Sequence, residues 1–222
     1  MWNAQARYKK QFVKAIYNSA AGKFMDKKIS RKFFNDKAST WDQSIRNNDP
    51  LQLTALAKRL QIKPNSWILD VGTGTGVFIP YIKNSMNGSG RIICVDYAIN
   101  MLHQAQKKKL SSDIAFICSE IETLHLFSNT FDTVVCYSTF PHFHDKLSAL
   151  GNIHRMMKLG ADLYICHTAS SQTINAIHRS IPDFSDHLIP DQGQMEKLLQ
   201  AVGFIEVAVC DTDNSYLATA MK

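Results

Sequence analysis

The sequence predicts an α/β fold: a seven-stranded, mostly parallel sheet with helices on both faces, an antiparallel C-terminal hairpin and an N-terminal helical extension. Three observations carry this. Residues 67–76 read WILDVGTGTG, an apolar strand run closed by an aspartate and followed by glycines at alternate positions. From Ser66 onward, short β-branched and apolar runs alternate with amphipathic helical stretches, the pattern of βαβ units on a parallel sheet. The last two strand-like runs have no helix between them, which pairs them as a hairpin.

The elements follow in order. Tyr8, Phe12, Ala15, Ile16 and Ala20 recur at helical spacing over 3–20. A second segment spans 28–47, and Asp49-Pro50 starts a helix that runs to about Leu60. Pro64-Asn65 separates it from strand 67–71. Helix 77–87, strand 91–95, helix 98–110, strand 114–118, strand 132–137 and helix 145–157 come next, and Gly160 breaks the chain before strand 162–166. Helix 171–179, a Pro/Asp/His loop at 182–190, helix 191–201 and strands near 204–210 and 215–220 complete the chain. The expected division is an N-terminal helical extension at 1–60 and an α/β domain at 61–222 with a short insert at 168–190.

Composition bounds the function. An apolar content of 45% over 222 residues supports an ordinary core. No stretch is long and apolar enough to cross a membrane, and MWNAQARYKKQF lacks the apolar centre of a signal peptide. Cys94, Cys118, Cys136, Cys166 and Cys210 form no CxxC pair or zinc-like spacing and read as free thiols of a reducing, cytoplasmic setting. The net charge of +6 is uneven: residues 1–46 hold eleven Lys/Arg against three Asp, whereas 161–222 hold three Lys/Arg against eight Asp/Glu. That asymmetry fits either a nucleic-acid or anionic surface or a solvated helical face. The basic residues are scattered and few aromatics interleave with them, so nucleic acid is not the expected partner.

The glycine turn is the strongest chemical signal. Glycines permit positive φ and close backbone approach, and a helix N-terminus favours a nearby carboxylate or phosphate. GxGxG after a strand is compatible with a dinucleotide, but the full fingerprint is GxGxxG; here Gly76 comes one residue early and position 77 is valine. A nucleoside without a pyrophosphate fits better. Asp96 closes the second strand, where a carboxylate can accept from both ribose hydroxyls or cap the following helix. Glu120 follows the third strand and could meet an adenine amino group.

These segments together resemble the class I S-adenosylmethionine-dependent methyltransferases, a Rossmann-like family, in its small-molecule and quinone-type branch. The resemblance covers roughly residues 34–210. LDVGTGTG (69–76) is similar to the first motif, VDYAINML (95–102) to the second, and CSEIETL (118–124) to the acidic segment, with Glu120 and Ile121 in place of the commoner Asp and Ala. FDTVVCYSTFPHF (131–143) resembles the fourth strand and its catalytic loop. HRMMKLGADLYI (154–165) resembles the helix–turn–strand that follows, and FFNDKASTWD (33–42) the segment that closes over the cofactor. The resemblance implies S-adenosylmethionine held by Asp70, Gly72, Thr73, Gly74 and Gly76 at the methionine end and by Asp96 at the ribose. It implies Tyr97, Met101, Glu120, Ile121 and Tyr137 around the nucleoside, and Trp41 either as a cover or as plain helix packing.

Methyl transfer requires alignment and exclusion of water, plus a base when the acceptor must lose a proton. Ligands gather beyond the carboxyl ends of parallel strands, where His142, His144 and His167 fall; His178 and His187 lie in the insert expected to roof the acceptor pocket. Three readings stay open: a general base, ligands of a divalent metal, or polar surface and cap residues. The loop STFPHF is not the Asn/Asp-Pro-Pro-aromatic signature of many methyltransferases acting on exocyclic nitrogens, and Cys136 lacks a Pro-Cys setting. Phe184, Leu188 and Ile189 are available for an apolar pocket, which favours a compact organic acceptor. The rival readings are an RNA methyltransferase that uses the basic N-terminal region and a cofactor-binding partner protein without catalysis. The oligomeric state is open.

Overall fold

The computed structural model describes residues 27–44, 49–86, 90–111 and 113–222. The helix expected over 3–20 lies outside the described residues. The described chain begins with α1 (Lys27–Lys37), a 3-10 turn at Ala38–Thr40, α2 (Trp41–Ser44) and α3 (Pro50–Arg59). The sheet elements and helices then alternate: β1 (Trp67–Val71), α4 (Ile79–Met86), β2 (Arg91–Asp96), α5 (Ile99–Lys107), β3 (Ile114–Cys118) and β4 (Phe131–Tyr137). A 3-10 turn at Phe140–His142, α6 (Lys146–Met156), β5 (Met157–His167), α7 (Ser171–Ser180), a 3-10 turn at Pro182–Phe184, α8 (Gln192–Val202), β6 (Ile205–Thr212) and β7 (Ser215–Met221) follow.

One seven-stranded sheet has the order β3-β2-β1-β4-β5-β7-β6. Its first five strands pair in parallel, and β7 pairs antiparallel with both β5 and β6. Strand alternation sorts the core onto two faces. Leu69, Val134, Cys136, Leu163 and Ile165 pack with Leu150, Ile153, Leu198 and Leu199 of α6 and α8. Ile68, Ile92, Cys94, Val135 and Cys166 pack with Leu53, Leu56, Ile79 and Ile82 of α3 and α4. Local chemistry sets the helix starts: the Asp49 side chain accepts from the Leu51 amide at 2.9 Å with Pro50 at the first position, and Asp191 with Gln194 forms a reciprocal capping box.

Gly160 does not end an element as expected. It lies inside β5 at φ +73°, where its N–H donates to the Lys222 carbonyl at 2.9 Å. The β4–β5 register slips between Phe131↔Met157 and Thr133↔Asp162, so this glycine serves a bulge. Chain order reverses between β1 and β4, and the carboxyl ends of β1, β2 and β4 open there into one cleft. No helix among the described residues is long and apolar enough to cross a membrane.

Candidate active site

The cleft starts at the turn after β1. The N–H groups of Gly72 and Thr73 both donate to the Val95 carbonyl, at 2.7 and 3.0 Å, and fold the turn back over β2. Gly72, Gly74 and Gly76 all sit at positive φ. A Cβ on Gly72 would lie 1.9 Å from Thr139 Oγ1, whereas one on Gly74 would meet nothing within 4 Å. Gly72 therefore allows the turn to touch the loop after β4, and Gly74 faces open space. Gly76 packs against Ile79 and Ala105, a helix-packing position.

Two buried carboxyls organise this turn. Asp70 accepts from the Thr73 hydroxyl. Burial, reinforced by the nearby Asp96, pushes its carboxyl up to about 7 against the opposing Thr73 bond. Asp96 accepts from the Gly74 amide through Oδ2 and the Ala98 amide through Oδ1, each at 2.8 Å. Burial raises it to about 6, and the backbone donors hold it back. Asp96 thus holds the backbone just ahead of α5, whose N-cap Ala98 has no side-chain cap, and still retains lone pairs for further donors.

Val71, Val95, Tyr97, Ile121 and Phe143 give the cleft apolar walls, and Asp96, Ser119, Glu120, Glu122, Thr139, His142 and His144 give it polar ones. Its atom-free space of about 410 Å³ is narrow and open to solvent. Helix α1 lies across it. Glu120 pairs with Lys27 at 2.8 Å and with Arg31, and the Lys27 hydrogen bond leads in holding its carboxyl below the usual range. Ser30 is fully buried; its hydroxyl accepts from Tyr97 Oη at 3.1 Å and lies 3.4 Å from His144 Nε2. Trp41 packs on Phe34 at 5.4 Å, and Met101 is buried with Phe34, Ala38 and Phe184 beneath the same helix. Asp42, next to Trp41, accepts from the Thr75 hydroxyl and pairs with Lys108 at 2.7 Å, tying this segment to the glycine turn. Tyr137 takes the other face of the sheet, stacked on Phe78 at 4.4 Å with its hydroxyl 3.1 Å from Thr168.

The histidines converge beside the cleft. His142 Nδ1 lies 2.9 Å from His187 Nδ1, and His178 Nδ1 donates to the His187 carbonyl. The His142 ring centroid is 5.0 Å from that of His178, and His144 is 5.8 Å from His187. His167 is buried at the end of β5, and its Nε2 has no hydrogen-bond partner among the described residues. Burial lowers every one of these imidazoles: His142 well below its ordinary value, His144 and His178 below theirs, His187 to about 4 and His167 to about 3. They are neutral near pH 7, each with one ring nitrogen carrying a lone pair. Phe184 packs on Phe33, Phe34, His142 and His187 at 4.7, 5.7, 5.3 and 5.0 Å, so this side is aromatic and dry. Lys146 Nζ donates to the carbonyls of Pro141 and Phe143, at 3.2 and 3.1 Å, and fixes the loop that carries His142. Burial draws its ammonium down to about 8. Among the described residues no group of three or more His, Cys, Asp or Glu is arranged to hold a metal ion.

Gly72, Asp96, Tyr97, Glu120 and Ile121 thus meet His142 and His144 in one cleft, Asp70, Thr73, Gly74 and Gly76 stand behind its lining, and Met101 and Trp41 pack with Phe34 of α1. Sequence reading did not single out Thr139, Phe34, Asp42 or Lys146, although the first three lie in the segments 131–143 and 33–42 quoted above, because only the folded chain shows which side chains of a segment reach the cleft. The residues suit a nucleoside: carboxylates placed for sugar hydroxyls, an open glycine at positive φ and apolar walls for a flat base.

The chain is similar to known proteins in sequence and in fold. Residues 69–165 match the methyltransferase domain family. The chain is 24% identical over 158 residues to a malonyl-[acyl-carrier protein] O-methyltransferase of Anoxybacillus flavithermus, covering 71% of this chain and 59% of that protein. It is 28% identical over 131 residues to the ubiquinone/menaquinone biosynthesis C-methyltransferase UbiE of Blochmanniella pennsylvanica, covering 57% and 51%. The match thus spans little more than half the length of these relatives. A SAM-dependent methyltransferase from Aquifex aeolicus shares the fold with a TM-score of 0.66 at 22% identity, over 84% of this chain and 97% of that one. A Haloferax volcanii putative methyltransferase–Trm112 activator complex contributes a chain with a TM-score of 0.70 at 14% identity, over 85% and 96%. The chain is thus similar to methyltransferases over residues 69–165 and shares their fold.

Proposed function

We propose that this chain methylates a small organic acceptor from S-adenosylmethionine, with a histidine taking the acceptor's proton. One observation carries the reading: His142 lines the same cleft as Gly72 and Asp96, so a neutral imidazole stands beside a nucleoside-shaped cradle. Asp96 would hold the ribose hydroxyls, Gly72–Gly74 with Asp70 the methionine end, and Val95, Ile121 and Glu120 the adenine. Bound there, the cofactor supplies an electrophilic methyl group. The chain's own part is alignment, dryness and proton removal. Phe34 and Phe184 exclude water, His142 is the base, and His144, His167 and His178 complete the acceptor wall. The N-terminal segment through Trp41 covers the cleft. The named relatives suggest two acceptor chemistries, a carboxyl oxygen and a quinol-type ring carbon. A cytoplasmic setting belongs to this reading, in keeping with five free cysteines.

The test is calorimetry with S-adenosylmethionine, followed by transfer of a labelled methyl to a panel of phenols, quinols, carboxylic acids and thiols, with and without chelator. Binding together with chelator-insensitive labelling supports the reading. Tight binding with no acceptor across the panel favours a non-catalytic role.

A further inference from the structure

We propose that Asp186 and His187 form a positioning relay that fixes the tautomer of His142 and leaves its Nε2 as the proton acceptor in the cleft. This deepens the function proposed above and rests on it. Two imidazole nitrogens 2.9 Å apart must share one hydrogen, so either His142 Nδ1 or His187 Nδ1 is the donor. The surroundings of His187 decide which. Its ring is buried, and its Nε2 lies 4.0 Å from Asp186 Oδ1. A carboxylate at that distance favours a hydrogen on Nε2. Neutral His187 then carries a lone pair on Nδ1, which requires His142 to donate from its own Nδ1. His142 Nε2 is the nitrogen left basic.

The same residue orients a second imidazole. A carbonyl oxygen only accepts, so the contact between His178 Nδ1 and the His187 carbonyl places the His178 hydrogen on Nδ1. His187 thus holds two neighbouring rings with their Nε2 atoms unprotonated. The other charged or titratable groups around it are Lys146, His144 and His178, and around His142 also His167. Asp186 is the carboxylate among these neighbours, so it sets the direction of the relay. In use, the acceptor's X–H bond gives its proton to His142 Nε2, the bonding pair stays on the atom to be methylated, and the imidazolium later releases the proton to water. Asp186 and His187 touch neither acceptor nor cofactor; they act through His142.

Nitrogen-15 NMR of the full-length protein near pH 7.5 reads the hydrogen on each imidazole directly. The expected result is His142 with hydrogen on Nδ1 in the wild type, mixed tautomers in Asp186→Asn, and hydrogen on Nε2 in His187→Phe, which keeps a ring against Phe184. A neutral imidazole released to water also prefers hydrogen on Nε2, so the His187→Phe result counts only in a sample whose amide spectrum remains that of the folded protein. Asp186→Asn leaves the buried ring in place and keeps the proposal testable if His187→Phe does not fold. Wild-type His142 protonated at Nε2, or a tautomer unmoved in both variants, overturns the relay. Calorimetry with S-adenosylmethionine on the same samples separates the two levels: a wild type that binds none overturns the role as base while the tautomer result stands.

Discussion

The Gly74 amide donates to Asp96 Oδ2 at 2.8 Å, so the turn after β1 and the carboxylate that ends β2 hold each other in place. Asp96 also accepts from Ala98. Asp96→Ala is therefore expected to act twice. It strands two backbone donors, at about 1–3 kcal/mol each when buried, and on the proposed function it removes the acceptor for two ribose hydroxyls. Affinity for S-adenosylmethionine is expected to fall about 100-fold or more. Urea unfolding measures the first effect and calorimetry the second; unchanged affinity in a folded variant removes Asp96 from the sugar site.

Gly72 and Thr139 are coupled by space. A Cβ at Gly72 overlaps the Thr139 side chain, and its φ of +67° adds backbone strain of roughly 1–2 kcal/mol for any L-residue. Gly72→Ala is expected to be destabilising beyond that strain. Thr139→Gly in the same chain clears the overlap and returns part of the loss, leaving the strain. A double-mutant cycle from urea melts checks this, and additive effects would show that the two residues do not meet.

Asp70 at about 7 and Asp96 at about 6 give cofactor binding a pH dependence. Both are raised above the ordinary carboxyl value of about 3.9. Their contribution to folding is therefore fully present below that value and lost as pH rises through 6 and 7. Binding works in the opposite direction: hydroxyl donors at Asp96 and a cationic amino acid end near Asp70 favour the charged carboxylates. Binding is expected to release protons and to strengthen as pH rises from about 5.5 to about 7.5. Calorimetry in two buffers of different ionisation enthalpy measures the release; affinity flat across that range contradicts it.

Local sequence patterns made much of the fold legible. WILDV and IAFIC are strands at the predicted residues, because apolar and β-branched runs closed by turn chemistry leave few alternatives. Gly160 was misread because a glycine in a bulge and a glycine in a break look alike without the partner strand. That Gly72, Asp96 and Glu120 would share one cleft was readable for the same reason as the strands: all three follow strand ends. The acceptor side was only partly readable. His142 and His144 follow β4, but the contact of His142 with His187, 45 residues away, exists only once α7 and the loop after it fold back over the sheet. Ser30 and Phe34 meet Tyr97, His144 and His142 from still farther along the chain, contacts that no local spacing records. Tyr137 shows the remaining difficulty, since alternation in β4 turns its ring to the face of Phe78.

Phe184 tests whether the aromatic wall is part of the acceptor pocket's structure. It is 2% exposed and touches Phe33 and Phe34 of α1 as well as His142 and His187. Truncating a buried Phe to Ala costs about 3–5 kcal/mol where the site cannot collapse. Phe184→Ala is expected to lose stability on that scale and to speed hydrogen exchange in both α1 and the 182–190 loop, because one ring packs against both. Phe184→Leu fills most of the volume and is expected to restore the stability while still losing the edge-on contact with His142. Faster exchange confined to 182–190, with α1 unchanged, would mean that α1 holds its place through the Lys27 and Arg31 pairs to Glu120 and the Ser30 contacts alone.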